Sequence, residues 1–277
     1  MTEILQYTFF QNALLGSLLA CIACALAGTY VVSRRLVFIS GGLTHASFGG
    51  IGIGLYAGIS PILSAALFAI LSAFGIEWLS QKKNVRSDSA IAVFWTFGMA
   101  VGIICSFLTP GFAPDLSSYL FGNILTIGRE DLFLLLTVTI VQGLFFICFM
   151  PQIVSTAFDR DFAVSQKLPV RRIEYAMMFF IALTIVACLR LVGIVLVISL
   201  LTVPQMTANL FTCRFTHIIW WSGIIGFVSC VGGLCFSYLY NIPSGATIIF
   251  FSILIYALCK AGRFAWTSLH LKKSHTL

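Results

Sequence analysis

Apolar positions along this chain come in long unbroken runs. They show neither the alternation of a half-buried strand nor the narrow stripe of a surface helix. The runs follow one another from about Phe9 to Phe264. A helix that crosses about 30 Å of hydrocarbon needs roughly 20 apolar residues. That length divides the chain into nine stretches, 9–32, 42–59, 61–80, 89–109, 131–151, 173–190, 191–211, 217–240 and 244–264. The pattern therefore predicts an all-α polytopic membrane protein with about nine transmembrane helices. A membrane β-barrel would show short segments of alternating polarity instead. The least regular stretch is 171–212, interrupted by Arg190 and Gly193 near its middle and by Pro204 near its end. It reads either as two short spans or as one span plus a re-entrant piece.

Composition strengthens this class and narrows the rest. Hydrophobic residues make up 60% of the chain and charged ones 9%, against about a quarter charged in a soluble domain. Mean hydropathy is +1.03, so most of the surface has lipid as its solvent. The runs leave no space for a large soluble domain, and 1–277 reads as a single membrane domain. The start, MTEILQY, lacks the basic beginning of a signal peptide, so the first run is expected to be a retained helix.

The formal charge of +7 suggests nucleic acid at first sight, but its placement points to topology. Arg34 and Arg35 follow the first stretch, Lys82, Lys83 and Arg86 the third, and Arg160, Lys167, Arg171 and Arg172 the fifth. Arg214 follows the seventh, and Lys260, Arg263, Lys272 and Lys273 the ninth. The alternate connections hold only Arg129 and Arg190. Positive loops stay in the cytoplasm. The expectation is a multi-pass protein of the cell (inner) membrane, N-terminus outside and C-terminus cytoplasmic, with the lipid bilayer and not nucleic acid as its partner.

Nine cysteines are present, and Cys21 and Cys24 form a CxxC inside CIACALAGTYVV. No second CxxC accompanies it, and the apolar setting favours small packing residues over a redox or zinc pair. The sequence contains no GxxxxGK[ST], HExxH or GxSxG motif. If a nucleotide drives this protein, a partner chain hydrolyses it.

Two connections are longer than turns need to be. Residues 110–130, PGFAPDLSSYLFGNILTIGRE, form the longest outer segment; residues 152–172, QIVSTAFDRDFAVSQKLPVRR, form the longest inner one. Asp159 and Asp161 open a short helical pattern through Phe162, Ala163 and Leu168, and Pro169 stops it. Such a helix is either a docking element or part of a solvated loop.

Taken in order, these pieces resemble the metal-type ABC transporter permeases, of the ABC-3 type. The resemblance rests on QNALLGSLLACIACALAGTYVVSRRL, GGLTHASFGG, SDSAIAVFWTFGMAVGI, SYLFGNIL, FDRDFAVSQKLPV, LVGIVLVISLLTVPQMTANL and NIPSGATIIF. It covers nearly the whole chain. The family implies a fold similar to the vitamin B12-type importer permeases, with two permease copies around a central pathway. It implies an ABC ATPase subunit docked on an inner helix of each copy and an extracytoplasmic metal-binding protein on the outer face. The substrate would be zinc first, or manganese or iron. ATP would be bound by the partner subunit, and this chain would be no enzyme and hold no cofactor of its own. The coupling segment falls at about 159–169, with Asp159, Asp161, Ala163, Lys167, Leu168 and Pro169 as its expected contacts. Family members usually place glycine where Lys167 stands.

The same resemblance directs attention to His45. An ionisable residue inside a membrane segment marks a functional site by default, and neutral imidazole suits first-row metals. In the family an aspartate commonly precedes this histidine by four residues, which puts both groups on one helix face; here that residue is Gly41. His45 is thus expected as a transient pathway ligand, and a second copy across a dimer axis would restore a two-ligand site. Gly42, Ala46, Gly49, Gly50 and Gly54 around it either let helices approach closely or leave space for an ion. The other role open to His45 is structural, with its ring bonded to a neighbouring carbonyl.

The remaining acidic and soft residues suggest lesser roles. Asp88 is expected to cap the fourth stretch, and Glu77 to pair with Lys82 or Lys83. Asp115 either meets a binding protein or is solvated. Met99 and Cys105 are packing residues before they are soft ligands, and His270 and His275 lie in a basic tail. The rivals to a permease are a secondary transporter driven by an ion gradient and an intramembrane metal-binding enzyme. The enzyme would need a second intramembrane ligand beside His45.

Overall fold

The computed structural model describes residues 7–82, 85–110 and 127–274, with side chains through 265 except at 190 and 191. Among these residues there are ten helices and no strand: α1 (Thr8–Ser33), α2 (Val37–Ala57), α3 (Pro61–Ser80), α4 (Ser87–Leu108), α5 (Arg129–Phe158), α6 (Arg160–Ser165), α7 (Val170–Leu200), α8 (Val203–Ala208), α9 (Phe215–Tyr240) and α10 (Ser244–Ser274). Asp115, the SYLFGNIL motif, Lys83 and His275 lie outside the described residues, and the side chains of Arg190 and His270 are among those not described.

Seven segments of the described residues are long and apolar enough to cross a membrane: Thr8–Ser33, Pro61–Ser80, Ser87–Leu108, Arg129–Phe158, Val170–Leu189, Phe215–Tyr240 and Ser244–Ala265. Two of the nine expected stretches differ. The second is helical throughout, as α2, but it lies outside those seven, and most of its residues, glycines, serines and a threonine among them, are buried inside the protein rather than turned to lipid. It is wrapped instead by α3, α4 and α7. The seventh is shorter, Val192–Ala208, and broken. Gly193 at φ 72° and ψ 167° interrupts α7, in a backbone region open only to glycine. A second break at Leu201 and Thr202 separates α7 from α8. The 171–212 stretch is thus one span followed by interior helical pieces.

The fifth stretch runs longer than expected. Pro151 lies inside α5, and the helix kinks there, with Phe149 at φ −119° and ψ 16°, and continues to Phe158. A proline kinks a helix when neighbours hold it together. The chain then passes through one residue, Asp159, into α6.

α1 and the first part of α7 are mostly enclosed, whereas α10 is mostly open to the surroundings. Exposed side chains such as Phe107, Ile147 and Phe250 form the lipid-facing coat. Inside, polar side chains tie helices together where no water reaches them. Gln142 of α5 is fully buried; its Nε2 donates to the Ala23 carbonyl at 3.4 Å and its Oε1 accepts from the Thr184 hydroxyl at 3.0 Å. Gln205 of α8 donates to the carbonyls of Cys24 at 2.8 Å and Leu200 at 3.1 Å. Cys21 of α1 meets Cys230 of α9 with sulfurs 3.6 Å apart, and every cysteine is free.

Candidate pathway residue and docking helix

His45 sits on α2, whose glycine face is pressed against α4. A Cβ on Gly49 would lie 2.7 Å from the Gly98 carbonyl oxygen. One on Gly98 would lie 2.7 Å from the Ala46 oxygen, and one on Gly102 the same distance from the Phe48 oxygen. Gly50 meets α3 in the same way, its Cβ position 2.6 Å from Ala65 Cα. Of the two uses open to these small residues, close helix approach is the one observed. The seam forces α2 and α4 into backbone contact and thereby brings Trp95 of α4 beside His45.

The two rings stack, with centroids 4.6 Å apart and planes inclined by 7°. The ring is half-buried, and its Nδ1 is enclosed with no hydrogen-bond partner. A structural histidine bonded to a carbonyl through Nδ1 is therefore not what is found. Gly41, one turn earlier, has room for a side chain: its Cβ position lies 3.5 Å from the Trp95 ring and 3.9 Å from Ile198, ordinary contact distances. Thr44 turns its hydroxyl back to the carbonyls of Ser40 and Gly41, both at 2.8 Å. Among the described residues no group of three His, Cys, Asp or Glu side chains is placed to hold a metal. Met99 packs against the core. Around α2 the described residues thus offer a metal one imidazole, flat against an indole.

The second site is α6. Asp159 caps it, its Oδ1 accepting from the Phe162 amide at 2.9 Å. Asp161 lies in the first turn, where a negative charge suits the helix dipole. At the other end the Leu168 amide reaches back to the Ala163 carbonyl at 3.1 Å, and Lys167 adopts φ 56°. This is a Schellman-type ending, which favours glycine at the left-handed position. Pro169 precedes the first turn of α7. Ala163 is fully buried, so its side chain faces the bundle; Phe162 and Val164, 54% and 53% exposed, face away from it.

Beneath α6 lies an ionic cluster. Glu174 of α7 is 1% exposed, and its Oε1 accepts from Arg34 Nη1 at 2.8 Å and from Arg160 Nε at 2.9 Å. Arg34 also donates to the Tyr30 hydroxyl at 3.0 Å. Burial alone would lower the Arg34 guanidinium, but Tyr30 and Glu174 outweigh it and hold it above its ordinary value. The cluster borders a cavity of about 260 Å³ that also takes in Glu77, Ser80, Gln81 and Ser87.

Two expectations for charged residues change: Asp88 does not cap α4, and Glu77 does not pair with Lys82, Lys83 lying outside the described residues. Glu77 points inward and accepts from Gln81 Nε2 at 3.0 Å, while Lys82 lies 3.9 Å above the Trp78 ring. Asp88 is in the first turn of α4 with Arg86 in the cap position, and the two are 3.8 Å apart on the surface. Trp95 and Glu174 were not singled out by the sequence. Trp95 stands within a recognisable motif, but nothing in spacing alone reveals a stack across two helices.

Comparison with known proteins bears on the family and the overall fold. The family model described as the ABC 3 transport family matches residues 6–261. An uncharacterized membrane protein of Synechocystis is 38% identical over 263 residues, covering 95% of this chain and 94% of that one. The manganese transport system membrane protein MntC of Halalkalibacterium halodurans is 32% identical, covering 92% of this chain and 88% of its own. Among solved structures, PsaBC from Streptococcus pneumoniae in complex with Fab superposes with a TM-score of 0.83 at 26% identity, covering 93% of each chain.

Proposed function

The chain belongs to the ABC 3 transport family, and from that premise we propose that it is the membrane-spanning subunit of an ATP-driven importer for a divalent transition metal. Bond chemistry takes place elsewhere: a partner ATPase binds and hydrolyses ATP, and an extracytoplasmic binding protein delivers the ion. Two copies of this chain enclose the pathway, N-termini outside and C-termini in the cytoplasm. The observation that carries the reading is α6, a helix capped at both ends whose exposed apolar side chains, Phe162 and Val164, have no partner in the described residues of this chain. A gradient-driven transporter has no use for such a knob.

His45 serves as a passing ligand in this reading. Its face is held by Trp95, and no carboxylate supplements it at Gly41. An ion that must leave again is better served by weak contact than by a closed ligand set. The metal is manganese before zinc, because a relative of similar length is named for manganese transport, whereas imidazole alone accepts either. The test is the reconstituted complex of permease, ATPase and binding protein in liposomes. Hydrolysis stimulated by manganese-loaded binding protein, with manganese accumulating inside the vesicles, is the expected result. Stimulation by zinc alone would reverse the metal preference, and uptake by the permease without ATPase would overturn the reading.

A further inference from the structure

The ionic cluster beneath α6 is lopsided. Two guanidinium groups, Arg34 and Arg160, converge on one oxygen of Glu174. The other oxygen, Oε2, is buried without a partner, as is the Ser80 hydroxyl. Both of those residues line the cavity of about 260 Å³. A second buried carboxylate, Glu77 of α3, lines the same cavity and lies within electrostatic reach of Glu174, Arg34 and Arg160. Yet its hydrogen bond comes from a neutral amide, that of Gln81, and among the described residues it has no ion pair.

Among the described residues two cations thus share one carboxylate while the other carboxylate has none. Burying a charge without a counter-charge is costly, so an alternative arrangement with one cation on each carboxylate is accessible. Of the two arginines, Arg160 is the one free to make the exchange. Its side chain is 48% exposed against 19% for Arg34, it opens α6, and no bond to a tyrosine ties it down. The open volume gives it somewhere to move.

We propose that Glu77 and Glu174 are alternative acceptors for the Arg160 guanidinium, so that α6 is latched to α7 in one state of the transport cycle and to α3 in the other. This rests on the reading of α6 as the ATPase-docking helix. The present structure shows the α7 latch. α3 packs on α2 through Ala65 and Gly50, so tying α6 to α3 transmits its movement to the helix that bears His45. Coupling between distant sites needs an element with two discrete arrangements; the pair of carboxylates supplies one.

The test uses the complete complex in liposomes, with spin labels on Ser165→Cys and Lys82→Cys in a cysteine-free background. In the parent, the distance between labels should shift between the nucleotide-free and the ATP-trapped states. Glu77→Gln keeps an acceptor for the Gln81 amide and removes the charge. It should abolish the shift and lower the metal delivered per ATP hydrolysed at least tenfold, while hydrolysis continues. Arg160→Gln should do the same, and Arg160→Lys should restore part of the ratio. Were Glu77→Gln to fold poorly, Arg160→Gln on the surface gives the reading alone. A normal ratio and a normal shift in either variant would overturn the latch. A parent complex without metal-stimulated hydrolysis would instead overturn the importer reading on which the latch rests.

Discussion

Lys167 is the residue at which backbone and sequence disagree most openly. It holds φ 56° at the end of α6, a conformation that costs a side-chain-bearing residue about 1–2 kcal/mol. Lys167→Gly should therefore raise the melting temperature of the purified protein, with a gain of about 1 kcal/mol, and leave the metal specificity unchanged. The family resemblance implied a glycine where Lys167 stands; the left-handed backbone there gives the physical reason for one. His45 was legible too, as a titratable ring in a run of small residues, but its partner was not. Trp95 lies 50 positions downstream, and only the glycine contacts bring it alongside. His45→Ala should cut metal uptake severely while expression stays near normal, because Trp95 and the glycine seam hold α2 without it. Gly41→Asp should fold, since its Cβ position meets only ordinary contacts. It should also shift the order of preference among manganese, zinc and iron in competition uptake, because it sets a carboxylate and an imidazole on one face.

Element by element, the hydrophobic runs located nearly every helix, because lipid leaves the backbone few other ways to satisfy itself. They placed the start of α2 five residues late, at 42 instead of Val37, and they failed where breakage served the interior, after Gly193. The short helix α6 was legible from its aspartates and its proline, yet the sequence could not say which side of it faces outward. Ala163 is fully buried, so Ala163→Asp should unfold the protein by several kcal/mol through an unpaired interior charge, seen as loss of the monodisperse peak. Phe162→Asp should leave that peak intact and abolish copurification of the ATPase. Asp159→Ala should weaken the helix by about 1 kcal/mol through loss of its cap, lowering coupling without abolishing docking. The Arg34–Glu174 pair, 140 residues apart in the chain, carries no local signal at all and emerges only when α1, α6 and α7 meet.

For the whole molecule, the alternating basic loops predict an orientation that can be checked in intact cells. On a cysteine-free background, a cysteine at Ser165 should react with impermeant reagent only after the membrane is opened. One at Tyr56, exposed at the far end of α2, should react from outside at once. The glycine seam has a further consequence, and it concerns biogenesis. α2 leaves the ribosome before α4, and its glycine face is shaped to the α4 backbone rather than to lipid tails, so during synthesis that face and the His45 ring are without their partner. Until α4 arrives and the two close on each other, α2 should be held only loosely across the bilayer. Chains arrested after residue 80 should therefore fail to hold α2 across the bilayer in glycosylation mapping, and chains extended past residue 110 should recover it. Gly98→Leu in the longer chain should undo that recovery, since a bulky side chain there would be driven into the α2 backbone.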